Sequence, residues 1–93
     1  MKTEVANMRL IRFNPDTDVR IDRGTIYGNP FRLVFEKDRD KVIDKYEVYA
    51  RKNKKIMSNL YKLVGKRLLC WCAPKRCHGD VLIKLMKEMD LIQ

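Results

Sequence analysis

One short apolar run constrains this chain more than any other feature: KRLLCWCA, residues 66–73, flanked by breakers and set between two stretches of helical periodicity. Before it, Ile56, Met57, Leu60, Leu63 and Val64 recur at helical spacing, and Gly65 supplies a stop. After it, Val81, Leu82, Leu85, Met86 and Met89 form a closing helical stripe. A third stripe lies upstream at Val42, Ile43, Tyr46, Tyr49 and Ala50, with Asp38 or Asp40 placed to cap its start. The methionines on these stripes read as core fillers. A buried strand among amphipathic helices needs a sheet on which the helices can pack, so the class is α/β or α+β.

The N-terminal third supplies the other strands. Residues 8–13, MRLIRF, are strand-like, and residues 18–22, DVRID, alternate polar and apolar side chains. Between them NPDT, residues 14–17, has the chemistry of a tight turn, which predicts an N-terminal hairpin. RGTIYGNPF, residues 23–31, reads as a loop, and FRLVF, residues 31–35, as a short strand or an extended connector. The expectation is one domain over residues 1–93: a short sheet with that hairpin and about three helices packed on it.

The longest uncharged apolar run, residues 68–74, falls far short of the roughly 20 residues that a membrane-spanning helix needs. The start, MKTEVANMRLIRF, has no signal-peptide core, and three cysteines suit a reducing cytoplasm better than a disulfide scaffold. The expected location is therefore cytoplasmic. Charge is unevenly placed. Between Tyr49 and Gly79 there are nine Lys and Arg and no acidic residue, so the whole net charge of +9 sits in that third. Such a block implies an anionic partner, or else a solvated face that keeps the protein in solution.

All three cysteines, the one histidine and the one tryptophan fall within residues 70–78. On a strand, Cys70 and Cys72 share a face while Trp71 points to the other. Cys70, Cys72, Cys77 and His78 could together supply four zinc ligands, but adjacent Cys77 and His78 make a poor tetrahedral pair, and no cofactor is expected. Cys70 and Cys72 read equally well as small buried hydrophobes. Cys77, at a helix start beside Lys75 and Arg76, is the best candidate for a reactive thiolate. His78 is the natural general acid or base. Gly79 lets backbone approach a ligand, and Asp80 either caps the helix or accepts hydrogen bonds from a ligand. In YGNPF, residues 27–31, Gly28 and Asn29 tolerate a bend, and Tyr27 and Phe31 either bury as rings in a plain turn or wall a nucleobase pocket.

Gly28-Asn29-Pro30-Phe31, Gly65-Lys66, Leu68, Cys70-Trp71-Cys72, Pro74 and Cys77-His78-Gly79-Asp80-Val81-Leu82 together resemble an uncharacterised domain family of phages, bacteria and archaea. The resemblance covers roughly residues 21–85. Family members often have a tryptophan before the glycine of the first motif and a Gly- and Arg-rich approach to it; this chain has Tyr27 and Asp22-Arg23-Gly24. The resemblance implies a prokaryotic or phage origin and one site built from both motifs.

The leading expectation is a pocket at one end of the sheet, where the loop of residues 23–31 meets the turn of residues 70–80. Gly28, Asn29, Phe31, Cys70, Cys72, His78, Gly79 and Asp80 would line it, and Arg23, Lys75 and Arg76 would draw in a phosphate-bearing ligand, a nucleotide or nucleic-acid end, to be bound or hydrolysed. The rival from another class is a basic module without chemistry that binds nucleic acid or a host protein, in the manner of a phage inhibitor, with a structural Cys/His turn that zinc could complete.

Overall fold

The structure is a computed structural model and describes residues 2–93. Three strands, β1 (Glu4–Asn7), β2 (Asp18–Arg20) and β3 (Arg67–Cys70), form one sheet in the order β1-β3-β2. Helix α1 (Arg39–Lys52) follows a 3-10 turn at Glu36–Asp38; the short helix α2 (Lys54–Ser58) leads into a second 3-10 turn at Leu60–Leu63; α3 (His78–Glu88) follows β3. The molecule is a small α/β domain. No helix among the described residues is long and apolar enough to cross a membrane.

The sequence places β3 at the centre. Leu68, Leu69 and Cys70 are all buried, as a strand flanked on both edges must be. Both neighbours run parallel to it, with Val5 and Val19 paired to Leu68 from opposite sides. The expected hairpin is therefore absent, and β1 lies earlier than residues 8–13. The NPDT turn does form: the Asn14 carbonyl accepts from the Thr17 and Asp18 amides, and its side chain accepts from Asp16 N–H. It connects two strands that never pair with each other. Residues 8–13 leave the sheet because Asn7 ends the ladder. The Asn7 amide donates to the carbonyls of Trp71 (3.2 Å) and Ala73 (2.8 Å), while its side-chain oxygen accepts from Arg9 N–H. Leu10 and Phe13 are consequently left exposed. Residues 31–35 are an extended connector with no strand pairing.

The helical stripes pack as their spacing demands except at their ends, where Val64 and Met89 are exposed, Met89 because α3 stops at Glu88 and so is no core filler. Ile43, Tyr46 and Ala50 of α1, Ile56, Leu60 and Leu63, and Val81, Leu82, Leu85 and Met86 of α3 meet Ile21 and Leu68 in one core. Each fully buried aliphatic side chain there contributes about 1.5–3 kcal/mol. Gly65 ends the second stripe at φ 73°, a left-handed backbone that glycine adopts at no steric cost, and its N–H donates to Thr3 Oγ1. At the same end of the sheet Arg67 grips the buried Asp18 carboxylate through Nε and Nη2 (2.8 and 2.9 Å). That hydrogen bonding lowers the Asp18 pKa to about 2.

Candidate functional site

In a parallel sheet the loops that follow the strands gather at their carboxyl ends. Here those are the loop after β2, the turn of residues 71–77 between β3 and α3, and the start of α1. Between them lies a cavity of about 280 Å³. Arg23, Asn29 and Phe31 line it from the first motif, and Cys70, Trp71, Cys72, Cys77 and His78 from the second. The two motifs, 40 or so residues apart in sequence, share one wall.

His78 opens α3 and turns its ring toward β2. Nε2 hydrogen-bonds the carbonyl of Ile21, and the Tyr46 ring meets the imidazole edge-on at 5.0 Å. A carbonyl only accepts, so Nε2 carries the proton and the lone pair of the neutral ring sits on Nδ1. Burial lowers the His78 pKa, opposed in part by the Ile21 bond and by Asp22 and Asp80, so the ring is neutral at pH 7.

The sulfurs behave differently from the expectation. Cys77 is the N-cap of α3: its Sγ accepts from Gly79 N–H (3.3 Å), and its own N–H donates to Asp80 Oδ2 (3.0 Å), closing a capping box. Its thiol lies 3.2 Å from that of Cys70, both are buried, and Cys70 and burial push the Cys77 pKa up. The reactive-thiolate assignment for Cys77 is thereby corrected. The cations meant to activate it face elsewhere: Arg76 pairs with Asp40 and Asp44 of α1, and Lys75 with Glu36. Of the pair, Cys70 is the lowered thiol, through the Cys77 hydrogen bond and then the amides of residues 72 and 73. Cys72 lies past the end of β3, half-buried on the cavity wall, with Trp71 on the same wall rather than on an opposite face.

Several expected site residues stand outside the wall. Gly28 shapes the loop from behind: a Cβ there would lie 2.6 Å from Arg23 Cα and 2.8 Å from the Asp22 carbonyl oxygen. Gly79 lets α3 approach the sheet, since a Cβ would meet Ile21 Cδ1 at 2.8 Å and Val5 Cγ2 at 2.9 Å. Asp80 is committed to the capping box, and Lys75 and Arg76 to α1 and its 3-10 turn. The amides of Gly79 and Asp80 at the helix start are satisfied by Cys77. Among the described residues no group of three His, Cys, Asp or Glu side chains converges as a metal cage. Cys70, Cys72, Cys77 and His78 all line the cavity, with His78 turned onto the Ile21 carbonyl rather than toward the sulfurs as a fourth ligand.

Two charged wall residues were missed in the sequence. Asp22 lies two residues past β2; its Oδ2 pairs with Arg20 at 2.6 Å, while its Oδ1 is buried with no hydrogen-bond partner among the described residues. Its place at the carboxyl end of the strand-like run of residues 18–22 is the signal that could have found it. Arg39, read only as part of a helix start, reaches the wall from α1, held by both Glu36 oxygens and by the Arg76 carbonyl. Nothing local in the sequence marks it.

The first motif is held rigidly. Tyr46 donates to the carbonyl of Tyr27 (2.6 Å), Tyr27 donates to that of Asn59 (2.9 Å), and Arg23 Nε donates to that of Asn29 (3.1 Å). Tyr27 is thus a buried structural ring, and Phe31, whose N–H bonds Asn29 Oδ1, is the exposed aromatic on the cavity.

No solved structure matches the chain. An uncharacterised 12.4 kDa protein from the nrdA–td intergenic region of Enterobacteria phage T4 is 33% identical over 88 residues, covering 84% of this chain and 75% of that protein. The family described as domain of unknown function DUF4326 matches residues 7–88, a span that holds both motifs and every wall residue, and the chain belongs to that family.

Proposed function

We propose that the protein binds a nucleotide-type, phosphate-bearing ligand in the cavity at the carboxyl ends of the strands, in the cytoplasm. The observation that supports this reading is the convergence of Asn29 and Phe31 with Cys72 and His78 on one cavity wall. Ligand pockets run to about 300–1,000 Å³, so about 280 Å³ suits a single base or sugar unit rather than a dinucleotide. The polar groups are complementary to such a unit. Asp22 Oδ1, buried and unpartnered, needs a donor from the ligand; Phe31 offers a ring face; exposed Arg23, without an ion pair among the described residues, suits a phosphate at the rim. Where the bound ligand has a hydrolysable bond, His78 is the base, through Nδ1.

A second reading rests on Lys52, Lys54, Lys55 and Lys62, which form no ion pair among the described residues. They suit a basic module without chemistry that binds nucleic acid or a host protein. Thermal melting against a nucleotide panel separates the two. At 100 times its dissociation constant, a ligand stabilises the fold by about 2.7 kcal/mol, on the order of 10 °C for a domain of this size. Asn29→Ala and His78→Ala should abolish that response, and replacing the four lysines with Gln should leave it intact. If no nucleotide shifts the wild-type melt, the cavity reading is rejected.

A further inference from the structure

The cavity does not end where a mononucleotide would. A second, more open trough of about 380 Å³ shares Arg23 and Asn29 with it and continues past Tyr49 to Asn53 and Lys55. The two are joined by aromatic contact, Phe31 standing edge-on to Tyr49 with centroids 6.1 Å apart. Trp71, which lines the cavity from the second motif, is 51% exposed. A cation lies over each rim ring: Arg9 at 5.7 Å from the Trp71 centroid, Lys45 at 5.9 Å from that of Phe31. Arg9, Arg23, Lys45 and Lys55 have no ion-pair partner among the described residues, whereas Arg39, Lys75 and Arg76 nearby are each matched by carboxylates. These four unmatched cations lie beside Trp71 and Phe31 or along the trough.

Exposed rings alternating with unmatched cations, on either side of a base-sized cavity, are complementary to a flexible polyanion with planar groups. We propose that the occupant is single-stranded nucleic acid, lying from Arg9 and Trp71 across the cavity to Lys55 with one base inserted beside Asp22 and its neighbours against Trp71 and along the trough. The proposal rests on the cavity reading above and extends it from a mononucleotide to a strand. A duplex fits poorly, because its bases are stacked and paired and cannot enter the cavity without being flipped out.

The test is fluorescence anisotropy with labelled 12-nucleotide single strands of DNA and of RNA, the matching duplex, and unlabelled mononucleotides as competitors. Binding of either single strand at least about tenfold tighter than the duplex and the mononucleotides is expected, since each stacked base adds about 1–3 kcal/mol. Four cations on phosphates predict a log–log salt slope near −3, about −0.7 for each phosphate of a single strand. Trp71→Ala, at an exposed position where the fold is checked by its melt, should weaken the strand about ten- to a hundredfold. Lys55→Gln should make the slope shallower by roughly 0.7. Mononucleotides that match the strand in affinity would overturn the strand and keep the cavity. Tight strand binding untouched by Trp71→Ala and Lys55→Gln would place the strand elsewhere and also overturn it. Absence of binding by strands and mononucleotides alike would remove both readings together.

Discussion

The loop of residues 22–31 and the turn of residues 71–77 face each other across one cavity, yet they are secured by different means. The loop is pinned from outside. Tyrosine hydroxyls reach its backbone from α1 and reach from it to residue 59, and its own backbone closes so tightly at Gly28 that no side chain fits. The turn is pinned from its two ends, by the Asn7 amide on the carbonyls of Trp71 and Ala73 and by the Cys77–Asp80 capping box where α3 begins. What the loop holds with buried backbone contacts, the turn holds with polar side chains nearer the surface. The loop should therefore fail by steric clash and orphaned carbonyls, and the turn by modest losses of capping.

Gly28→Ala tests the loop most severely. The atoms its Cβ would strike are backbone, Arg23 Cα and the Asp22 carbonyl oxygen, and cannot move aside as a side-chain tip can. The expected loss is about 3 kcal/mol or more, at the upper end of overpacking effects. Gly79→Ala meets Ile21 Cδ1 and Val5 Cγ2, which can rotate, and it gains about 1 kcal/mol of helix propensity. A net loss of about 1–2 kcal/mol is expected there. Urea denaturation of both variants reads the difference. Equal losses would mean that the loop relaxes as readily as a helix packed on a sheet.

Hydroxyl and cap give the next comparison. Tyr46→Phe removes the donor from the Tyr27 carbonyl in the fully buried core, for an expected loss of about 1–3 kcal/mol. Asp80→Ala opens the capping box at an exposed position, where about 1 kcal/mol is typical. A larger loss from Asp80→Ala than from Tyr46→Phe would reverse the assignment of which side is held more firmly.

The parts of this arrangement visible in the sequence were those set by local period and local chemistry. Val81, Leu82, Leu85 and Met86 announce a buried helix face by spacing alone, and all four are buried. Asn14 specifies its turn through its own side chain. The pairing of strands carries no such mark. β1 is four residues long, its end is set by an Asn7 contact 64 residues away in the chain, and the more apolar segment after it made the better-looking strand. Charge was misread for the same reason. The Arg76 carboxylate partners come from α1, so a block that is uniformly basic in sequence is partly neutralised in space. Asp22 shows the converse: an ordinary polar position in an alternating run becomes, at the end of β2, a buried oxygen without a donor.

The smallest expected effect concerns a hydrogen bond at the base of the two sides, from the His78 ring at the start of α3 to the Ile21 carbonyl just past β2. Burial holds the folded His78 pKa below its ordinary value, against the raising effects of the Ile21 bond, Asp22 and Asp80. The unfolded chain, with a histidine near 6.5, therefore binds a proton more readily than the folded one as the solution is acidified. Stability is at its full value above that point and declines as pH falls toward the folded value. The Cys70 thiol, also lowered in the fold, acts at higher pH with the same sign, so the comparison must be made between proteins rather than against a theoretical curve. Melts of wild type and His78→Gln at pH 7.5 and pH 5.5 provide it, because both proteins retain the cysteine pair and the carboxylates. The wild type should lose more stability over this interval than the variant. Parallel curves would mean that the ring is solvated in both states, and that loop and turn meet across the cavity without a buried link between them.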